Sequence, residues 1–306
     1  MDRDTYDVVI LGTGPAGLQA AIHAARKKVS VLVLGREQRS SIYSTHIENY
    51  CCMNSVTGET LLEQGRKQAE NSGAVLVDED VIGISQEDGG FLVKAEGGKA
   101  YGTAAVILAM GISRNKLKVP GEKEFLGRGV SYCVECDANF YRDQVVAVVG
   151  SESAAISGAL TLLFYAKEVH LICEELKVVD ALAEQVKDSS IVLHEGRRVT
   201  GIKGKDNVEA VVMDDDTEIK VGGIFIELGA KGAIELASGL GVMLDPETMQ
   251  YISANKKQET NIPGIYAAGD ICGPPWQVAK AVGEGCVAGL EAAGYARRLN
   301  KEDQHG

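Results

Sequence analysis

The chain has 306 residues, enough for two domains that each bury a core, and its 45% hydrophobic and 24% charged composition is that of a globular protein. No apolar run approaches the roughly 18–20 residues that span a bilayer, so a membrane is not an expected partner. A net charge of −12 argues against nucleic acid, and seven scattered cysteines exclude a disulfide framework, which leaves a cytoplasmic protein as the expectation.

The first predicted strand covers residues 6–11. No basic stretch precedes it and it runs straight into a glycine motif, so it reads as a strand and not as a secretion signal. Gly12-Thr13-Gly14-Pro15-Ala16-Gly17 follows, then a predicted helix over 18–27 and a strand over 29–34. Strand, glycine turn, helix, strand is the dinucleotide-binding unit. Gly12 permits the tight turn. Gly14 lets the backbone approach a pyrophosphate at the positive end of the helix, and Gly17 lets the helix pack on the strand. Glu37, 20 residues after Gly17, stands where an acid binds a ribose. Cys51 and Cys52 are adjacent and, like the isolated Cys173, Cys272 and Cys286, read as small buried or half-buried side chains with no motif that assigns them a role. Hairpin signals at Asp88-Gly89-Gly90 and Gly97-Gly98 lead to a buried-looking strand over 104–111, ending in Gly111.

Cys133-Val134-Glu135-Cys136 is the one redox spacing in the chain. Two thiols so placed close a strained, exchangeable disulfide. Zinc would need four ligands, and no second CxxC or paired histidines supply them, so no metal is expected. The first plan then repeats. A strand over 145–149 leads into Gly150-Ser151-Glu152-Ser153-Ala154-Ala155, a helix over 156–165 and a strand over 169–173; a turn at 214–216 and a strand over 223–229 close the copy. From about Thr248 there is no further fingerprint, only Tyr266-Ala267-Ala268-Gly269-Asp270 and a helix over 277–297, which belong with the first copy. The expected fold class is α/β with two three-layer, Rossmann-like domains, the second inserted in the first: residues 1–118 plus 248–306, and residues 119–247. The insert holds 12 basic and 23 acidic residues, a net of −11, and the remainder is close to neutral.

Several stretches together carry a family resemblance: Gly12 to Gly17, Glu48-Asn49-Tyr50, Gly129-Val130-Ser131-Tyr132-Cys133 on to Cys136-Asp137, Phe140-Tyr141, Ala268-Gly269-Asp270, and Gln277-Val278 with Gly283. Over nearly its whole length the chain resembles the low-molecular-weight thioredoxin reductases. The resemblance implies a homodimer with FAD in the first domain, held at Gly12, Gly14, Pro15, Ala16, Gly17, Glu37, Asn49, Gly111, Gly269, Asp270, Gln277 and Val278. It implies that Asp270 contacts the ribityl chain and that the backbone near Gln277 and Val278 faces the flavin pyrimidine edge. Cys136 would then be the flavin-side charge-transfer thiolate. Cys133 would attack the disulfide of a thioredoxin-like protein, and Asp137 would move the proton.

Two departures from the pattern concern the second glycine motif. Glu152 stands where a middle glycine would let pyrophosphate touch the backbone. Cys173-Glu174-Glu175 replaces the His-Arg-Arg run that binds a 2′-phosphate in NADPH-using members. Glu174 alone would suit the free ribose of NADH. These departures resemble a branch of the family that draws electrons from ferredoxin or a reduced deazaflavin. The expectation is an FAD-dependent thioredoxin-disulfide reductase with a donor other than NADPH. The alternatives are an NADH-dependent reductase, a peroxide-forming flavin oxidase and a non-catalytic redox sensor.

Overall fold

The computed structural model describes residues 4–87, 89–112, 116–132, 134–228, 233–249 and 251–302; the predicted positions Asp88, Cys133 and Gly229 lie outside them. The chain divides into two compact units, residues 1–95, 99–112 and 236–306 in one and residues 96–98 and 113–235 in the other. Both are built on parallel sheets flanked by helices, the α/β class expected from the two glycine motifs. Among the described residues, no helix is long and apolar enough to cross a membrane.

In the first unit the parallel strands run in the order Val75–Val77, Val31–Leu34, Asp4–Leu11, Ala100–Leu108. The long strand Ala100–Leu108 then serves two neighbours. Its first half pairs antiparallel with Gly90–Ala95, and its second half pairs parallel with Ile265–Ala267. Val8, Val9, Ile10 and Leu11 are fully buried, because a strand covered by helices on both faces is apolar at every position and not at alternate ones. Helix Pro15–Arg26 starts three residues earlier than the periodicity indicated, with proline in the first turn where its missing N–H costs nothing. The C-terminal helix Val278–Glu302 lies directly on it. A Cβ on Gly285 would stand 2.1 Å from the Ala16 carbonyl oxygen, and one on Gly289 2.3 Å from that of Ala20, so the two backbones touch and the core between them is mostly alanine.

In the second unit five parallel strands run in the order Val192–Glu195, Glu168–Cys173, Val145–Val149, Gly223–Ile226, Val130–Ser131. A three-stranded antiparallel sheet, Val199–Gly204, Val208–Met213 and Glu218–Lys220, covers one side, and Val199, Ile202, Val208, Val211 and Met213 pack into the same core as Ala147, Val149 and Ile224. The helix after the second glycine turn is Ser153–Leu162, again three residues earlier than expected. Edge strand Val130–Ser131 delivers the chain into the short helix Val134–Asp137, which carries the second cysteine of the CxxC.

Candidate functional site

In the first unit the three glycines of the fingerprint separate by what the chain requires of them. Gly12 has φ +113°, and a Cβ there would stand 2.3 Å from the Ala109 carbonyl oxygen. A Cβ on Gly17 would stand 1.9 Å from the Gly12 carbonyl oxygen. Both are demanded by the fold. Gly14 caps helix Pro15–Arg26 with φ −76° and ψ 180°, a conformation open to any residue, and the nearest atom to its missing Cβ is Ser40 Oγ at 3.5 Å. Nothing in the protein needs glycine there, so the bare backbone at a helix N-terminus, flanked by Pro15 and Ala16, fits a group that is not part of the chain: a diphosphate. The two kinds of glycine answer differently to substitution. Gly17→Ala should destabilise the apoprotein by about 3 kcal/mol or more, because backbone cannot yield as a side chain can. Gly14→Ala should leave the apoprotein melting temperature unchanged and weaken flavin binding, which thermal melts and a flavin titration of the two variants will separate.

The other predicted cofactor residues gather near the carboxyl ends of the same strands. Asn49 Nδ2 donates to Gln277 Oε1 at 2.8 Å, joining two stretches 228 residues apart. Gln277 N–H is bonded to the Pro275 carbonyl, which leaves the Val278 N–H as the first amide of the C-terminal helix, one without an intrahelical acceptor. Gly111 has φ +66° with open space around it. Glu37 opens a short helical turn after Val31–Leu34 and accepts from Arg66 Nη1 at 3.1 Å; Arg66 also holds Asp78 at 2.8 Å. Gly269, at φ +90°, sits 3.0 Å from Ala16 by its missing Cβ, so the Gly269-Asp270 turn is held against the first helix.

Sequence reasoning missed the side chain that organises that turn. Lys280 Nζ donates to the carbonyls of Gly269 at 2.8 Å and Gly273 at 2.7 Å and pairs with Glu284 at 3.1 Å, while Glu284 accepts from the Gly269 N–H at 2.8 Å. Its only sequence signal was a charged pair four apart at the start of an apolar helix. Asp270 emerges from this clasp with its carboxyl pushed above the usual range, first by burial and then by the Glu284 charge, against the pull of Lys280. A raised folded-state value means that the contribution of Asp270 to stability is present at low pH and is lost as pH rises through the raised value. Asp270→Asn should therefore raise the melting temperature of the apoprotein at neutral pH and leave it unchanged well below the carboxylate range, while flavin affinity falls. A wild-type advantage at neutral pH in the apoprotein would contradict the assignment.

In the second unit, Cys133 lies outside the described residues and Cys136 is described by its backbone alone, within helix Val134–Asp137. The residues around the pair are ordered by two contacts. Asp137 Oδ2 accepts from the Ser131 hydroxyl at 2.6 Å, which fixes the carboxylate beside the helix it ends. Tyr141 lies close enough that the Asp137 charge adds to burial in raising its phenol. Glu227, 4% exposed, accepts from the Val134 N–H at 3.1 Å and so caps the redox helix at its positive end. Sequence reasoning passed over Glu227, because an acid following an apolar strand gives no hint that its carboxylate is turned inward.

The second glycine turn follows the plan of the first, a glycine at positive φ and then an extended residue at the helix cap. Gly150 has φ +154°, and a Cβ there would stand 2.0 Å from the Glu227 carbonyl oxygen, so the fold itself requires glycine. Glu152 caps helix Ser153–Leu162 with φ −114° and ψ −176°, the place and conformation that Gly14 has in the first unit. Past the end of Glu168–Cys173, Glu174 lies 3.6 Å from Arg198, which also comes within 4.0 Å of Asp214, while Arg197 reaches Asp214 at 4.0 Å and Asp215 at 2.9 Å in the same network. Two arginines thus approach the predicted 2′-phosphate position from another loop, but three acids already engage them. Cys173 and Cys272 are inert by comparison with a redox thiol: burial pushes the first up to about 11 and the second up to about 12.

A family model described as pyridine nucleotide-disulphide oxidoreductase matches residues 6–285. The bifunctional thioredoxin reductase/thioredoxin of Mycobacterium leprae is 33% identical over 94% of this chain, which spans 65% of that longer protein. Among solved structures, the atypical thioredoxin reductase TRi from Desulfovibrio vulgaris Hildenborough is 34% identical, with a TM-score of 0.84 over 97% of this chain and 99% of that one. A ferredoxin-flavin thioredoxin reductase from Clostridium acetobutylicum is 31% identical, with a TM-score of 0.66 over 98% of this chain and 100% of that one.

Proposed function

The chain belongs to the pyridine nucleotide-disulphide oxidoreductase family, and we propose that it is an FAD-dependent thioredoxin-disulfide reductase whose electron donor is not NADPH. The relatives support the reductase and its flavin. The observation that supports the unusual donor is the contrast between the two glycine turns. The second turn keeps the glycine that its own fold needs, Gly150, and has glutamate at the position where only a bound diphosphate would need glycine. A site under selection for a nucleotide would not place a carboxylate against its diphosphate. The likeness to a ferredoxin-flavin enzyme supports a low-potential carrier, ferredoxin or a reduced deazaflavin, as the class of donor.

When bound, FAD supplies the relay between a donor and a disulfide. Gly14 and the first turn of its helix would hold the diphosphate, Asp270 would take a ribityl hydroxyl, and the joined Asn49 and Gln277 with the Val278 N–H would meet the ring edge. In the dithiol step, the Cys133 thiolate attacks one sulfur of the thioredoxin disulfide and forms a mixed disulfide. Asp137, positioned by Ser131, gives a proton to the thioredoxin thiolate that leaves. Cys136 then attacks the Cys133 sulfur, releasing the second thioredoxin thiol and closing the Cys133–Cys136 disulfide. The active form is a homodimer in this reading. Purified protein should be yellow, with about one FAD per chain. Calorimetric titration of the flavin-loaded protein should show NADP⁺ binding weaker than about 1 mM. Binding tighter than about 10 μM would overturn the proposal on the donor and leave the reductase assignment standing.

A further inference from the structure

Outside the CxxC, one other pair of thiols is placed for chemistry. Cys51 and Cys52 are both exposed, not buried or half-buried as the sequence suggested, and their Sγ atoms lie 3.5 Å apart. Cys52 adopts φ +71°, a left-handed conformation that side-chain-bearing residues rarely take, and the turn is closed by a bond from the Met53 N–H to the Tyr50 carbonyl at 3.1 Å. Strained backbone of this kind clusters at functional sites. The turn begins one residue after Asn49, whose amide is bonded to Gln277. The other described cysteines differ from this pair: Cys173 is buried, and Cys272 and Cys286 are only partly accessible.

We propose that Cys51 and Cys52 are a second redox site, a dithiol that hydroperoxides convert reversibly into a vicinal disulfide beside the Asn49–Gln277 contact. One thiolate attacks the peroxide, forming an S–O bond as the O–O bond breaks and alcohol or water leaves. The second thiol attacks the resulting sulfenic sulfur, forming the S–S bond as water leaves; peroxide is reduced by two electrons and the two thiols are oxidised by two. The sulfurs need to close by about 1.5 Å to reach bonding distance. Adjacent Cα atoms are about 3.8 Å apart, below the usual range for a disulfide, so the bond is strained and readily returned to the dithiol by a reduced thioredoxin-like protein. That reductant is the product of the proposed reaction and the flavin at Asn49 and Gln277 is part of the same reading, so the resetting step and the coupling to the flavin rest on the function proposed above, while formation of the vicinal disulfide does not. Closing the ring moves the turn that carries Asn49 and so couples peroxide exposure to the flavin contact.

The test uses whole flavin-loaded protein, reduced under argon, exposed to one equivalent of hydrogen peroxide, alkylated and mapped by mass spectrometry. The expected result is a peptide containing Cys51 and Cys52 that is two mass units lighter, unalkylated and restored by dithiothreitol, with loss of both fast-reacting surface thiols and a shift in the flavin absorption spectrum. Cys52→Ser should instead give a dimedone-trapped sulfenic acid at Cys51 and no spectral shift. Full alkylation of both cysteines after peroxide, or a disulfide linking two chains through either of them, would overturn the proposal. A vicinal disulfide that forms without changing the flavin spectrum would overturn its coupling to the flavin contact. If the protein also fails to reduce thioredoxin, the function proposed above falls while the redox pair stands or falls on the mass map alone.

Discussion

Cys136→Ser is expected to lower thioredoxin reduction by at least about 10³-fold, in line with the loss of a reacting atom and not of a helper group. The long-wavelength charge-transfer band of the two-electron-reduced enzyme should vanish with it. Cys133→Ser should be just as inactive but keep the band, because Cys136 remains as a thiolate with no partner to oxidise it. The two variants also differ in what they trap. Cys136→Ser retains the attacking thiol and lacks the resolving one, so it should accumulate a mixed disulfide with thioredoxin; Cys133→Ser should accumulate none. Ser131 and Glu227 set the frame for both, one holding Asp137 and the other the first amide of the redox helix. The opposite spectroscopic pattern would reverse the order of the thiols.

Repair of the second glycine turn should act in steps. A carboxylate about 4 Å from a phosphate repels it by roughly 4 kcal/mol at an effective dielectric near 20, about a thousandfold in affinity. Glu152→Gly removes that term and, because Glu152 is in the extended region as Gly14 is, requires no change of the turn itself. The variant should gain reduction by NADH, since Glu174 is compatible with a free ribose. NADPH should require Glu152→Gly combined with Glu174→Arg and Glu175→Arg. The Glu174 replacement also removes one of the two carboxylates beside Arg198, at 3.6 Å, and leaves Asp214 at 4.0 Å. Stopped-flow rates of flavin reduction in the single and triple variants distinguish the steps. Full NADPH use by Glu152→Gly alone would mean that Arg197 and Arg198 already bind the 2′-phosphate despite their acidic neighbours.

Much of this was legible in the chain because glycines and periodicity are local signals. Both glycine turns, their helices and the parallel strands beside them could be placed from sequence, and the α/β class followed from the repeat; Val75–Val77, Val130–Ser131, Val192–Glu195 and Ile265–Ala267, too short to show a pattern, could not. Helix starts were read three residues late at both turns, because the first turn of each helix is capped by the glycine motif itself and carries little apolar periodicity. What stayed hidden is long-range. That Gly285 and Gly289 lie on Ala16 and Ala20 follows from two helices crossing, which no window of sequence contains. Lys280, Glu284 and Glu227 received no role from sequence, since a half-buried ion pair or an inward cap has the same composition as an exposed one. Nor does a fingerprint say which of its glycines serve the fold; only the short distances at Gly12, Gly17 and Gly150, against the ordinary 3.5 Å contact at Gly14, make that division.

The central claim is that electrons reach this flavin from something other than NADPH. Its most direct measurement is anaerobic bleaching of the flavin in wild-type protein, followed in a stopped-flow cell at saturating NADPH, NADH, reduced ferredoxin and reduced deazaflavin, beside the rate of thioredoxin reduction by the same sample. The account predicts that ferredoxin or the deazaflavin bleaches the flavin at least as fast as thioredoxin is reduced, and that NADPH is slower by about 10³-fold or more. Bleaching by NADPH at the rate of thioredoxin reduction would contradict it and make this an ordinary NADPH-dependent member of its family.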